Sequence, residues 1–377
     1  MLLITRNLPP LQGGMERLNW HLLHQLQRVA DMQVVGPQGA AALAPQGPEM
    51  REAHLRPLWR FMLASLWQTL ALGRRGRPSA YIAGSGLTAP QAWLASRVFG
   101  GRCIAYLHGL DITVDNAVYR HLWVPILRRL DLVIVNSGAT AALAVEAGIL
   151  PARLHLVHPG VSLPALPDDA RKAISAAAFR SRHGLGEGPL LLSVGRLTPR
   201  KGLLEFVRDE MPAILRTHPG ATLVVVGGVA TQALSSEALT PERVLASATE
   251  ATRQRVRFIG EVSDQDLSIA MLSAAVHVFP VRSQRSDPEG FGMVAIEAAA
   301  HGLPTVAYAS GGVVDAIAQG VSGMLVTPGD STGFVAAVTA MIDRPLDDAP
   351  MLAFAAQFDW EAFGRQVRNV LGLQAQA

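Results

Sequence analysis

Four short segments of this chain join glycines to charged side chains at points where an aliphatic run ends. The most charged is Gly195-Arg196-Leu197-Thr198-Pro199-Arg200-Lys201-Gly202, directly after the run Leu190–Val194. Two or three cations there, added to the amides of a starting helix, favour a diphosphate. A solvated basic loop is the bland alternative. Lys172 and Lys201 are the only lysines in the chain, which makes Lys201 conspicuous. The second segment runs from Asp287 through Glu289-Gly290-Phe291-Gly292 to Glu297. Gly290 and Gly292 form a turn, and Phe291 to Ala300 read as a small-residue helix. Glu297 then sits about two helical turns beyond Glu289. A carboxylate on a helix packed against a sheet is costly unless it meets donors. A ribose diol supplies two, and a neighbouring arginine or backbone amide would also serve.

The other two segments carry less charge. Gly13-Gly14 stands between the first aliphatic run and a helix bearing Trp20, Leu22, Leu23 and Leu26. Two glycines let a phosphate or sugar approach the backbone, or they form an ordinary turn. His108-Gly109-Leu110-Asp111 closes the run Cys103–Leu107. A histidine there can reach a sugar hydroxyl, share charge with Asp111, or be a satisfied structural ring. Asp264-Gln265-Asp266 resembles a metal-binding D-x-D, but Ser263 three residues before Asp266 fits a helix-starting capping box better. Scattered histidines and a lone Cys103 support no metal site, and no resident cofactor is expected.

The elements that must position these segments follow from the hydrophobic pattern. Short aliphatic runs without alternation recur along 377 residues, each followed by a helix-length stretch. Leu2–Thr5, Met32–Val35, Ala80–Ala83, Cys103–Leu107, Leu132–Asn136 and Leu154–Val157 form one set. Leu190–Val194, Thr222–Val226, Val256–Ile259, Val276–Pro280, Pro304–Tyr308 and Gly323–Val326 form another. Such runs suit parallel strands buried on both faces, and their spacing suits repeated βα units. Two α/β domains of Rossmann type are predicted, residues 1–165 and 166–350, followed by a helical tail over 351–377 anchored by Phe358, Trp360 and Phe363. The Ala/Gln/Pro-rich stretch 40–48 reads as a loop.

Composition narrows the classes. Hydrophobic residues make up 49% and charged residues 17%, enough to build cores and too little charge for disorder. No run is long and apolar enough to span a bilayer, and the first strand begins too early for a cleavable leader, so a cytoplasmic location is expected. A formal charge of +3 suits phosphate substrates or anionic membranes. Nucleic acid is not expected, because no motif for it occurs.

Taken in order, these motifs resemble the retaining glycosyltransferases called group 1 or family 4. Gly195-Arg196 with Lys201-Gly202, and Glu289 with Glu297, are the matching signatures. Gly13-Gly14, His108-Gly109, Asn136-Ser137, Pro159-Gly160-Val161 and Gly311-Gly312 also match, so the resemblance covers most of the chain. It implies the GT-B architecture, two facing Rossmann-like domains with a last helix crossing back to the first. It also implies roles. Arg196 and Lys201 would hold the donor diphosphate, and Glu297 the ribose. Glu289, Phe291 and Gly292 would position sugar and phosphate, with Gly195 in the same loop. His108 would meet the sugar, Gly13 and Gly14 the phosphates, and the backbone near Phe258–Val262 the base. Front-face attack without a metal would retain the anomeric configuration.

The acceptor is expected on the first domain. Arg51, Arg56, Trp59, Arg60, Phe61, Met62, Trp67, Arg74 and Arg75 interleave basic and aromatic residues, as do His121, Leu122, Trp123, Ile126, Leu127, Arg128 and Arg129. Either stretch suits an anionic membrane surface or a helix packed on its sheet. The opening, Thr5 to Leu18, is similar to mannosyl- and rhamnosyltransferases of lipopolysaccharide O-antigen assembly, which implies a GDP-sugar in preference to a UDP-sugar and a lipid-linked saccharide acceptor. A nucleotide-sugar epimerase or hydrolase on the same scaffold, a UDP-sugar-dependent transferase and a non-catalytic sugar-binding protein are the alternatives.

Overall fold

The computed structural model describes residues 1–44, 48–229, 239–282 and 287–373. Contact density divides the chain into two units, Met1–Gly160 with Trp360–Ala377, and Val161–Asp359. The first unit contains β1 (Leu2–Ile4), β2 (Gln33–Pro37), β3 (Glu49–Ala53), β4 (Ala80–Ala83), β5 (Arg102–Leu107), β6 (Leu132–Val135) and β7 (Leu154–Leu156). The second contains β8 (Leu190–Val194), β9 (Thr222–Val226), β10 (Val256–Gly260), β11 (Val276–Phe279), β12 (Thr305–Tyr308) and β13 (Gly323–Val326). Strand order is β3-β2-β1-β4-β5-β6-β7 in one sheet and β10-β9-β8-β11-β12-β13 in the other. Both orders reverse direction beside the first strand of the unit, which is the doubly wound pattern.

The uninterrupted apolar runs are explained by burial on both faces. Leu191, Leu223 and Val225 pack into one core, whereas Leu190, Leu192, Val224 and Val226 pack into a second. Alternate residues of β8 and β9 therefore enter different layers, so no regular apolar–polar alternation arises. Among the described residues, only the strand β3 escapes the sequence reading. It is an edge strand whose Glu49 accepts from Arg51 and Gln33, so its pattern is polar. Arg51, grouped above with a helical stretch, belongs to this strand, and the helix begins at Leu58. Residues 45–47 of the expected loop lie outside the described residues.

The expected tail is two helices rather than one. Asp348–Ala356 belongs to the second unit, where Met351 and Ala355 are buried. Trp360–Leu371 belongs to the first unit and buries Trp360, Phe363, Val367 and Leu371. It packs against the helix Gly14–Gln27, where Trp360 stacks on His21 at 3.7 Å between ring centroids. Arg28 pairs with Glu361 at 2.6 Å, and Arg368 donates to Gln25 at 2.7 Å. Phe358, expected as an anchor of the same tail, packs near Phe291 in the second unit. Phe363 lies 5.5 Å from Trp360 and 6.3 Å from Tyr106, ring to ring. Phe363→Ala should cost about 3–5 kcal/mol, read as a lower denaturant midpoint.

Candidate active site

In the second unit the reversal of strand order falls between β8 and β11, so a crevice opens beyond their carboxyl ends. The chain leaving β8 makes a tight turn at Pro199–Lys201 and is then helical from Leu203 to Thr217, with one wide turn at Phe206–Glu210. Lys201 Nζ lies 2.9 Å from Glu289 Oε2, and Arg200 also contacts that oxygen through Nη1. Arg200 Nε stands 3.3 Å from Asp287 Oδ2. The side chains of Arg200, Lys201 and Glu289 are 14%, 18% and 11% exposed, which makes this a largely desolvated charge cluster.

Its electrostatics follow from that burial. Desolvation pushes the Glu289 carboxyl up, but Arg200 and Lys201 outweigh it and hold the pKa near 2. Burial lowers the Lys201 ammonium, and Glu289 only partly restores it. Burial also opposes the charge of Arg200, yet Glu289 and Asp287 leave its pKa raised. Lys201 further sits 4.4 Å over the ring of Phe279, at the end of β11.

The carboxylate is delivered by backbone packing. Gly312 N–H donates to Glu289 O at 2.9 Å. A Cβ on Gly312 would lie 2.0 Å from Gly290 O, so only glycine lets these two turns touch. Gly292 caps the helix Met293–Ala300, which carries Glu297 on a partly buried face. The Phe291 side chain is 3% exposed and belongs to the core. Gly195 donates to Val226 O at 2.9 Å and lines a small pocket with Arg196, Lys201 and Phe279. Arg196 itself is exposed and acts on Lys201 and Glu289 only through space. The cations gathered at the carboxylate are thus Arg200 and Lys201. Arg200 was visible in the sequence as one of three cations, but nothing in the spacing singled it out.

Asp264-Gln265-Asp266 is engaged locally. Ser263 Oγ accepts from Asp266 N–H at 3.1 Å, as a helix cap requires, and Arg182 separately donates to Asp266 Oδ1 at 2.9 Å. Among the described residues no three His, Cys, Asp or Glu side chains are grouped to hold a metal.

The first unit places neutral polar groups beside one carboxylate, Asp111. Gly13 precedes the helix that Gly14 opens, and Asn19 on that helix donates to Gly84 O at 3.1 Å. With its bond to Thr5 Oγ1 at 3.3 Å, Asn19 joins the ends of β1 and β4, where the strand order reverses. His108 follows β5 and is 7% exposed, stacked on Tyr106 at 5.3 Å, with Nε2 3.4 Å from Gly84 O. Asp111 accepts from the His108 backbone N–H at 2.9 Å rather than sharing the ring's proton. Ser85 Oγ, Tyr119 Oη and Asn136 Oδ1 are buried without a hydrogen-bond partner. The sequence marked only Asn136 among these, because an isolated Ser or Tyr carries no pattern.

These features define a GT-B glycosyltransferase, and comparison with known proteins agrees. Residues 12–164 match Glycosyltransferase Family 4, and residues 176–357 match Glycosyl transferases group 1. The chain therefore belongs to the glycosyltransferases with these two domains. It is similar to the GDP-mannose-dependent alpha-(1-6)-phosphatidylinositol monomannoside mannosyltransferase of Mycobacterium tuberculosis, with 29% identity over 98% of this chain and 97% of that one. The enzyme so described from Mycolicibacterium smegmatis is 28% identical over 93% and 91% of the two chains. Among solved structures, Anabaena HepE in complex with UDP and glucose superposes with a TM-score of 0.77 at 20% identity, covering 98% and 99%. WaaG, a glycosyltransferase involved in lipopolysaccharide biosynthesis, gives 0.70 at 17%, covering 98% and 99%.

Burial holds the His108 ring down to about pKa 4, with the Gly84 carbonyl partly opposing, so the ring is neutral near pH 7. Because its folded pKa lies below the ordinary 6.5, its stabilising effect is complete above pH 6.5 and fades as pH falls through 4. An NMR titration should place its midpoint near pH 4. His108→Gln should flatten the loss of stability over that interval.

Proposed function

We propose that this protein is a retaining, metal-independent hexosyltransferase that moves a hexose from a nucleotide diphosphate onto a lipid-linked saccharide. The reading rests on one observation: Arg200 and Lys201, largely desolvated, meet Glu289 at the carboxyl edge of β8 and β11. Departure of a nucleoside diphosphate creates negative charge, and cations already stripped of water and held in place stabilise it without reorganisation. Arg200 and Lys201 are assigned the diphosphate, with exposed Arg196 supplying a further charge. Glu289 and the Gly292 turn are assigned the sugar, and Glu297 the ribose diol.

In the first unit, His108 offers a neutral ring to a sugar hydroxyl. Attack proceeds on the face that the phosphate leaves. The acceptor oxygen bonds to the anomeric carbon as the carbon–phosphate-oxygen bond breaks, and the departing phosphate oxygen takes the acceptor proton. The use of Asp266 in a helix cap supports a reaction in which protein cations replace a metal.

The donor is assigned as a GDP-sugar, with mannose first, because the mycobacterial relatives are GDP-mannose-dependent by name. Those relatives act on a phosphatidylinositol mannoside, which supports an acceptor carried on lipid. A role in bacterial surface polysaccharide assembly, such as the O-antigen of lipopolysaccharide, is the setting proposed.

No helix among the described residues is long and apolar enough to cross a membrane. The helix Leu58–Gly76 nevertheless exposes Trp59, Leu63 and Trp67 by 59%, 60% and 71%, at a spacing of four that places them on one face. Beside them is a groove of about 510 Å³ lined by His54, Arg56 and Arg60. Aromatic and basic side chains together suit the headgroup region of an anionic membrane, and this face is assigned to it. The second basic and aromatic stretch is more inward, since Leu127 is fully buried and Trp123 Nε1 donates to Leu87 O at 2.9 Å.

Calorimetric titration with GDP, UDP and ADP without added metal tests the donor assignment. Binding of GDP that disappears in Lys201→Ala is expected, and binding of none overturns the diphosphate site. In turnover, Arg196→Ala, Arg200→Ala and Lys201→Ala should each lose at least about tenfold, the loss of one charge-assisted contact of ~1.4 kcal/mol. Activity should survive a chelator, and the product should keep the donor's anomeric configuration by NMR. Donor consumed without acceptor would instead mark an epimerase or hydrolase. Trp59→Ser with Trp67→Ser should reduce co-sedimentation with anionic vesicles while leaving GDP binding intact.

A further inference from the structure

We infer that Glu210 is a positioning residue for the turn Pro199–Lys201, acting through Arg282. The inference rests on the assignment of that turn to the donor diphosphate. Glu210 ends the wide helical turn Phe206–Glu210 and is fully buried. Its Oε1 accepts from Tyr308 Oη at 2.8 Å and lies 3.6 Å from Arg282 Nη2. The Arg282 guanidinium carbon also stands 5.3 Å over the Tyr308 ring. One carboxylate therefore ties the end of β12 to the segment that follows β11.

That segment is joined to the turn by backbone. Arg282 N–H donates to Arg200 O at 2.8 Å. Gly202, at φ +69°, packs so closely on Pro280 that an added Cβ would stand 1.9 Å from Pro280 O. A shift of residues 280–282 is thereby passed to Arg200 and Lys201. Arg200 in turn reaches Asp287 and Glu289 with its guanidinium, so it is gripped from both sides.

Two considerations argue that this network serves the site and not the core alone. A buried ion pair is costly to desolvate, and apolar residues of similar volume would often stabilise a fold equally well. An i→i+5 turn interrupts a helix and re-aims one side chain, and such turns recur at functional sites. Here that turn ends on Glu210.

The test is calorimetry of GDP and GMP, or of UDP and UMP if the uracil nucleotide is the one bound, on wild type, Glu210→Gln, Arg282→Met and the double variant. Wild-type binding that is lost in Lys201→Ala establishes that the probe reads the turn; its absence overturns the donor reading and this inference with it. Given that binding, each single variant should weaken the diphosphate by about tenfold and the monophosphate much less, and the double variant should be no worse than either single. Equal losses for both nucleotides would show a role in the fold only, and wild-type affinity in the variants would remove Glu210 from the site. Should Glu210→Gln fail to fold, Arg282→Met, altered at a side chain 28% exposed, decides by the same nucleotide comparison.

Discussion

Two cations taken out of water beside one another repel and lose hydration, so a carboxylate must come to them. In this protein Glu289 serves both Arg200 and Lys201, and Asp287 adds a second negative group. The carboxylates and cations lie some ninety residues apart in sequence, so their meeting depends on the strand order of the second unit. Because β11 lies directly against β8, the chain leaving each strand opens onto the same edge. Gly312 then lets the turn that carries Glu289 seat closely against its neighbour. The parallel sheet, the strand order and the glycines together bring two positive charges to one buried carboxylate.

The two units supply different chemistry from related frames. At the edge of the second unit Arg200 and Lys201 are balanced by Glu289 and Asp287 before any ligand arrives. At the edge of the first, a histidine kept uncharged by burial and hydroxyl and amide oxygens with bonding capacity to spare stand beside the carboxylate of Asp111. Charged groups suit an anionic leaving group, on which negative charge grows as it departs. Neutral donors and acceptors suit hydroxyls, whose recognition is directional and involves no net charge. The same strand reversal produces both edges, so the difference lies in the side chains placed at the strand ends.

Much of the fold was legible because parallel strands buried on both faces leave a continuous apolar trace. Every strand among the described residues except β3 coincides with an aliphatic run. That edge strand is missed because its Glu49 and Arg51 pair at the surface, where no face demands an apolar residue. The tail was read as a single helix because periodicity registers amphipathic stretches and not their partners. Phe358 and Trp360 stand two residues apart yet pack in different units.

The candidate site was legible in kind. Glycines beside Arg, Lys, His and Glu at strand ends mark a phosphate-and-sugar chemistry, and the order of the motifs marks the glycosyltransferase family. Residue type and spacing are local properties, and a single sequence carries them in full. Which arginine meets Glu289, which atom of His108 Asp111 engages, and whether Trp59 is exposed or buried depend on directions that only packing sets. The two α/β domains, the family and the glycine-flanked cationic segment 195–202 were legible from residue types and their order alone. Tertiary structure decided that Arg200 joins Lys201 at the carboxylate, and that Glu210 and Arg282 stand behind them, because such contacts join side chains on separate strand ends whose distances follow from the sheet and not from the chain.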